Sequence, residues 1–419
     1  MMSRRFCPIF LSAIGTALRV ALCLALMLCS MVKADGSLMQ AASKGILWKI
    51  SREALTQKVS YSPVDNRTCR FRKGSFECIQ GLTTGDVVIQ WDEKGSQIEI
   101  VNTTVYNKGD DGEIDRAAFE NLLKSSLAAL SAEMKVEPKS HKVGAKDAGV
   151  KPRAWVWEND NCAVMLEAFS SGSGKKYVAE FIRLTIAPKI EDMERGGAAD
   201  AAKKSELKEH VKKESDGTVW IADIPMVDQG EKGYCVPAAL SRVFAYYGMD
   251  GVDQHALAAL CKSSGDGTTL DAMTKAIRTI SNSFHVSVKP WKWVDMKKLA
   301  KDYERLAVRE KKDLYNLDPE VLLQVIRSKP NITKKAMKDV RGFVDAGVPI
   351  VWGVMLGMYP EQGLPQSFGG HMRLIIGYNE KEKLIVYSDS WGARHEKKTM
   401  PLDQACAITQ ALFVLRPMR

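Results

Sequence analysis

Apolar and polar positions divide the chain into stretches of different character. Val20–Met31 (VALCLALMLCSM) is an almost unbroken apolar run behind a basic start at Arg4 and Arg5. From Leu47 to about Lys189 the pattern turns strand-like. DVVIQW and QIEIV flank DEKGS, and AVMLEAF and YVAEFIRLTI flank SSGSGKK, which predicts two hairpins, the first turning at Gly95. Between them Phe119, Leu122, Leu123, Leu127 and Leu130 recur at helical spacing and predict one amphipathic helix. Glu191–Ser215 has no aromatic residue and little to bury, so it reads as a solvated linker or exposed helix.

From Trp220 the pattern is again that of a packed domain. Val236, Leu240, Val243, Phe244 and Tyr247 form a helical stripe, with Pro237 in the first turn and Gly248 just past the end. RLIIGY and KLIVYSD read as antiparallel strands joined by a turn at residues 379–383. Between helix and hairpin, the lysine-rich stretch from Trp291 to Val344 predicts helices. It reads as a solvated helical insertion, with a lid or a partner surface as the other readings.

The apolar run changes the count of what folds. Basic n-region, apolar h-region and Val32-Lys33-Ala34 form a secretory signal with cleavage expected after Ala34, hence a secreted or periplasmic protein. An uncleaved leader acting as a membrane anchor is the alternative; no other membrane span is expected. The leader takes four basic residues and no acid with it, lowering the net charge from +10 to +6. That is mildly basic, without a dense block of Lys and Arg interleaved with aromatics, and gives nucleic-acid binding little support.

Six of the nine cysteines lie beyond the leader: Cys69, Cys78, Cys162, Cys235, Cys261 and Cys406. No C-x-x-C pair exists, which argues against structural zinc and dithiol redox chemistry. Cys69 and Cys78 flank RFRKGSFE, a predicted hairpin with Gly74 in its turn, across which they could pair in an oxidising compartment. NKGDDGEID fails the spacing of a calcium loop, and GDGTTLD lacks the Lys-Ser/Thr ending of a phosphate loop. No metal or cofactor is called for.

The chemistry gathers in the second domain. The helical stripe puts Cys235 at a helix N-terminus, where unpaired N–H groups and the dipole favour a thiolate. Taken alone, such a cysteine is more often inert. A nucleophile also needs a proton carrier and an oxyanion donor. Of six histidines, His141 and His210 lie in lysine-rich polar stretches, His255 falls in an ordinary helix and His285 in a strand. His371 differs, because the glycine pair of SFGG sets it at the mouth of a buried strand. Folding the hairpin near residue 380 brings His371 beside Asp389 or Ser390, and a carboxylate there would hold the imidazole in its useful tautomer. Gln229, before the turn 230–233, is the candidate oxyanion donor beside the Cys235 N–H.

IPMVDQGEKGYCVPAALSRVFAYYG, GGHMRLIIGY and YSDSWG resemble the signature blocks of the C39-like cysteine peptidases, within the broader papain-like group. DSWG is similar to the Asn-Ser-Trp-Gly of papain-type enzymes, with Asp389 in place of Asn. The resemblance covers Ile221 to the C-terminus and implies Cys235 as nucleophile, His371 as base and then acid, Asp389 as orienter and Gln229 as oxyanion donor. It also implies an α+β papain-like domain acting on a peptide or protein, of the stand-alone kind. Val236 departs from the glycine that many such sequences carry there. The expected division is a leader at 1–34, a small α+β domain of unassigned role at 35–189, a charged linker at 190–219 and the peptidase domain at 220–419. An inactive papain-like binding module and an acyltransferase of transglutaminase type are the rival functions, and the oligomeric state stays open.

Overall fold

The computed structural model describes residues 36–418 apart from 143–151, 190–205, 232, 250–252, 265–266, 270–271, 277–278, 280–285 and 364–367. The leader expected at residues 1–34 lies outside the described residues. The chain splits into two compact units, the first reaching residue 193 and the second running from Glu194.

The first unit is built on one antiparallel sheet. Its strands are β1 (Ser62–Pro63), β2 (Thr68–Phe71), β3 (Val87–Trp91), β4 (Ile98–Asn107), β5 (Lys139–Lys142), β6 (Arg153–Glu158), β7 (Cys162–Ser171) and β8 (Val178–Pro188), in the order β1-β2-β3-β4-β8-β7-β6-β5. The hairpins β3–β4 and β7–β8 form as the alternation predicts. Gly95 turns the first with φ +66°, a conformation that costs glycine little. The helix Arg116–Met134 starts at Asp115, whose carboxylate accepts from the Ala118 N–H at 2.7 Å, and buries Phe119, Leu123, Leu130 and Met134.

The hairpin expected around Gly74 does not form. Cys69 in β2 has Ile89 of β3 and Pro63 of β1 as its cross-strand neighbours, so both edges of β2 are already occupied. Cys78 follows outside any strand, and the two cysteines are separate buried thiols.

In the second unit a mixed-order antiparallel sheet carries the site. Its strands are β9 (Val211–Lys213), β10 (Thr218–Ile221), β11 (Val286–Trp291), β12 (Ile350–Leu356), β13 (Gly369–Asn379), β14 (Leu384–Ser388), β15 (Lys398–Pro401) and β16 (Thr409–Pro417). The order is β11-β16-β12-β13-β10-β9, and β14 and β15 extend it beside β13. β13 is central: β12 and then β10 pair along one of its edges, and β14 along the other. Because β9 and β10 turn at Asp216-Gly217 and join this sheet, the stretch expected as linker is structured from Glu206 onward. Only its earlier part, 190–205, lies outside the described residues.

The helix Cys235–Tyr246 is almost wholly buried, and the Tyr247 hydroxyl donates to the Leu415 carbonyl at 2.7 Å, tying the helix to β16. The lysine-rich stretch departs from its expected role as a solvated insertion. Trp291 ends β11, and the helices Met296–Arg309, Pro319–Arg327 and Pro330–Val344 follow. Leu299, Tyr303, Ile326, Val340 and Val344 join the same core as Val243 and Leu374. The first and third of these helices turn their lysines to water, and all three bury an apolar face, so polarity of composition hid a core role.

Candidate active site

Cys235 is the first residue of its helix and is partly exposed. The helical ladder begins where Ala238 N–H donates to the Tyr234 carbonyl at 2.8 Å, so the N–H groups of Cys235 and Val236 have no acceptor within the helix. The other five described cysteines are buried. Burial pushes the thiols of Cys78 and Cys162 up to about 11 and that of Cys261 up to about 12, leaving them neutral packing groups.

His371 sits near the start of β13, and its Nε2–H donates to Asp389 Oδ1 at 2.6 Å. The hairpin register explains the contact: Leu374 faces Ser388, so the strand start and the segment after β14 come together. With Nε2 committed to Asp389, the other ring nitrogen, Nδ1, is the one left for Cys235, whose side chain interacts with the imidazole. Burial alone would push the His371 pKa down. The Asp389 charge and hydrogen bond, joined by Cys235, outweigh it and hold the imidazole above its usual range. Burial likewise opposes ionisation of Asp389, but His371, Arg373 and the Ser390 N–H keep its carboxyl below the usual range. The Trp391 ring lies on the imidazole, 4.3 Å between centroids and 6° from parallel.

Gln229 is bound to the same segment. Its N–H donates to the Ser390 carbonyl at 2.9 Å, and its Oε1 accepts from the Ser390 hydroxyl at 2.6 Å. That second bond orients the amide, turning its NH2 the other way. Val236, the departure noted in the sequence, is 4% exposed and packs in the core, so its side chain occupies none of the surface a substrate would approach.

Of the remaining histidines, His210 meets Asp223 at 2.9 Å and His255 packs edge-on against Tyr234, while His285 lies outside the described residues.

Two buried arginines escaped the sequence reading. Arg242, seven residues after Cys235, donates to the Asp389 carbonyl at 2.8 Å, to Ser388 Oγ at 2.5 Å and to the Pro225 carbonyl at 2.8 Å. Arg373, two residues after His371, donates through Nε to Asp389 Oδ2 at 2.7 Å and through its terminal nitrogens to Glu361. A signal was present: an arginine inside an apolar strand or an apolar helix must find partners, because an unpaired buried charge is prohibitive.

A partly exposed cysteine at a helix N-terminus, an imidazole against it and a buried carboxylate behind that imidazole make the layout of a papain-like cysteine hydrolase. Residues 221–411, somewhat under half of the chain, match the model of the Peptidase_C39 like family, and this segment is a C39-like cysteine peptidase domain. Among solved structures the chain is similar to xylellain, a cysteine protease from Xylella fastidiosa, at 12% identity and a TM-score of 0.24, over 55% of this chain and 95% of that one. No curated protein matches the chain. Among the described residues no helix is long and apolar enough to cross a membrane, and no three His, Cys, Asp or Glu side chains are grouped to hold a metal ion.

Proposed function

We propose that the protein is an exported cysteine peptidase that hydrolyses amide bonds through Cys235, His371 and Asp389, with Gln229 as oxyanion donor. Export rests on the leader pattern of residues 1–34. The observation that carries the chemistry is the His371–Asp389 bond in a setting that raises the imidazole pKa while Cys235 lies against the same ring.

His371 takes the Cys235 proton on Nδ1, giving a thiolate and an imidazolium that Asp389 steadies through Nε2–H. The thiolate attacks the substrate carbonyl carbon, and the C=O electron pair moves onto oxygen, facing the Gln229 amide and the Cys235 N–H. Collapse breaks the C–N bond as the imidazolium Nδ1–H protonates the departing amine, leaving a thioester on Cys235. Neutral His371 then takes a proton from water, hydroxide adds to the thioester, and the acid product leaves with the thiolate restored.

Iodoacetamide tests the site without knowledge of the substrate. Fast labelling of Cys235 below pH 7 that is lost in His371→Ala is expected. Labelling at the pace and pH dependence of an ordinary thiol in both proteins would sink the reading.

A further inference from the structure

Two charged side chains beside the site take no part in the chemistry above. Arg373 is wholly buried in β13 among Met372, Leu374, Ile375 and Ile376. Packing alone would favour an apolar residue there. Its guanidinium instead lies over the Tyr387 ring, 4.7 Å from the centroid, and uses its donors in two directions. Nε–H meets Asp389 Oδ2 at 2.7 Å, while Nη1 and Nη2 fork onto the Glu361 carboxylate at 2.9–3.1 Å. Glu361 is held in turn by the Tyr387 hydroxyl, and its neighbour Gln362 by Lys398, whose Nζ donates to the Gln362 carbonyl at 2.7 Å.

The two oxygens of Asp389 are thereby divided. Oδ1 accepts from His371 Nε2–H and from the Ser390 N–H, and Oδ2 accepts from Arg373. A carboxylate held through one oxygen can pivot about its Cβ–Cγ bond and carry the imidazole with it. Held through both, it cannot. The charges also close: in the ion-pair state Cys235, Asp389 and Glu361 are negative, while His371, Arg373 and Arg242 are positive. Removing Arg373 would take away the cation that hydrogen-bonds both the Asp389 and the Glu361 carboxylates.

We propose that Arg373, anchored by Glu361, is a positioning residue that locks the Asp389 carboxylate and keeps it ionised for His371. The inference rests on the roles given above to Cys235, His371 and Asp389. Asp389 is faced by His371 and Arg373 from β13, by Arg242 from the Cys235 helix, by Tyr387 from β14, by His395 from the segment after it and by Lys398 from β15. Within this set Arg373 is the cation on Oδ2, so its loss should free Asp389 to take a proton at higher pH.

The experiment is the pH profile of Cys235 labelling by iodoacetamide in the full chain, for the wild type, Arg373→Gln and Arg373→Lys, each checked for a cooperative melt. Glutamine keeps a donor near Asp389 but no charge, and the acid limb should move up by about 1–3 pH units. Lysine keeps the charge without the fork, and the limb should return to within about half a unit of wild type. A brace that only supports the fold would slow labelling evenly across pH. An unmoved limb in Arg373→Gln, or equal limbs in the glutamine and lysine variants, overturns the proposal. Should the glutamine variant fail to melt cooperatively, lysine decides alone, and a limb displaced by a full unit despite the retained charge overturns it too. Failure of the underlying reading shows differently, as wild-type labelling that His371→Ala does not alter.

Discussion

Arg242 and Asp389, 147 positions apart, meet through a 2.8 Å hydrogen bond from the arginine Nη1 to the aspartate carbonyl. The helix that begins with Cys235 is thereby fastened to the backbone that carries the His371 partner. Arg242 is fully buried, and burial pulls its guanidinium down to about 10 although the charge of Asp389 works against it. Arg242→Met removes three donors at once and leaves the Asp389 and Pro225 carbonyls without them. A loss of about 3–5 kcal/mol is expected, the range for breaking a buried charged network. Denaturant unfolding of the full chain measures it, and a loss under about 1 kcal/mol would show that the contact does not fasten the helix.

Asp389→Asn tests the pH logic of the pair. The His371 pKa is raised, so the pair contributes stability that is fully present below 6.5 and is lost as pH climbs through the raised value. Asp389, lowered from 3.8, contributes stability present above that value and lost as pH falls through the lowered one. Wild-type activity should therefore have its alkaline limb above pH 6.5. In Asp389→Asn that limb should move down, with kcat/KM falling by about 10²–10⁴-fold. An alkaline limb that stays in place in the variant would remove Asp389 as its cause.

Much of this site was legible in the sequence because it depends on local rules. A helix stripe with Pro237 and Gly248 at its ends puts Cys235 at the N-terminus, and a hairpin folded near residue 380 brings His371 to Asp389. Both are short-range patterns, and the structure realises both. Arg373 and Arg242 were hidden because their partners come from three separate segments, and no spacing rule joins Glu361 to residue 373. The helices of 296–344 misled for another reason: composition weighs their solvent faces and core faces together. The Gly74 turn was right in conformation, with φ +83°, and wrong in consequence, because β2 found better partners in β1 and β3.

Gln229→Ala should lower kcat by about 10²–10³-fold with KM little changed, the pattern of an interaction made mainly in the transition state. Ser390→Ala is the finer test. It removes the hydroxyl that donates to Gln229 Oε1 while leaving the amide in place, so the loss should be smaller, about tenfold. Steady-state kinetics on a cleaved peptide measures both. Equal losses in the two variants would mean that the serine acts on something other than the amide.

Val236→Gly installs the residue that the resemblance leads one to expect and asks what the departure does. The side chain is buried with Leu240 and Val243 in the core, facing away from the substrate surface. Removing it leaves a cavity and places glycine in the first helical turn, which together should cost about 2–4 kcal/mol of stability. The iodoacetamide rate of Cys235 at neutral pH should change by less than about threefold, since neither His371 nor the helix N-terminus moves with the methyl groups. Chemical denaturation and labelling on the same preparation separate the two effects. Faster labelling with unchanged stability would mean that Val236 acts on the nucleophile after all, through the backbone it shares with Cys235.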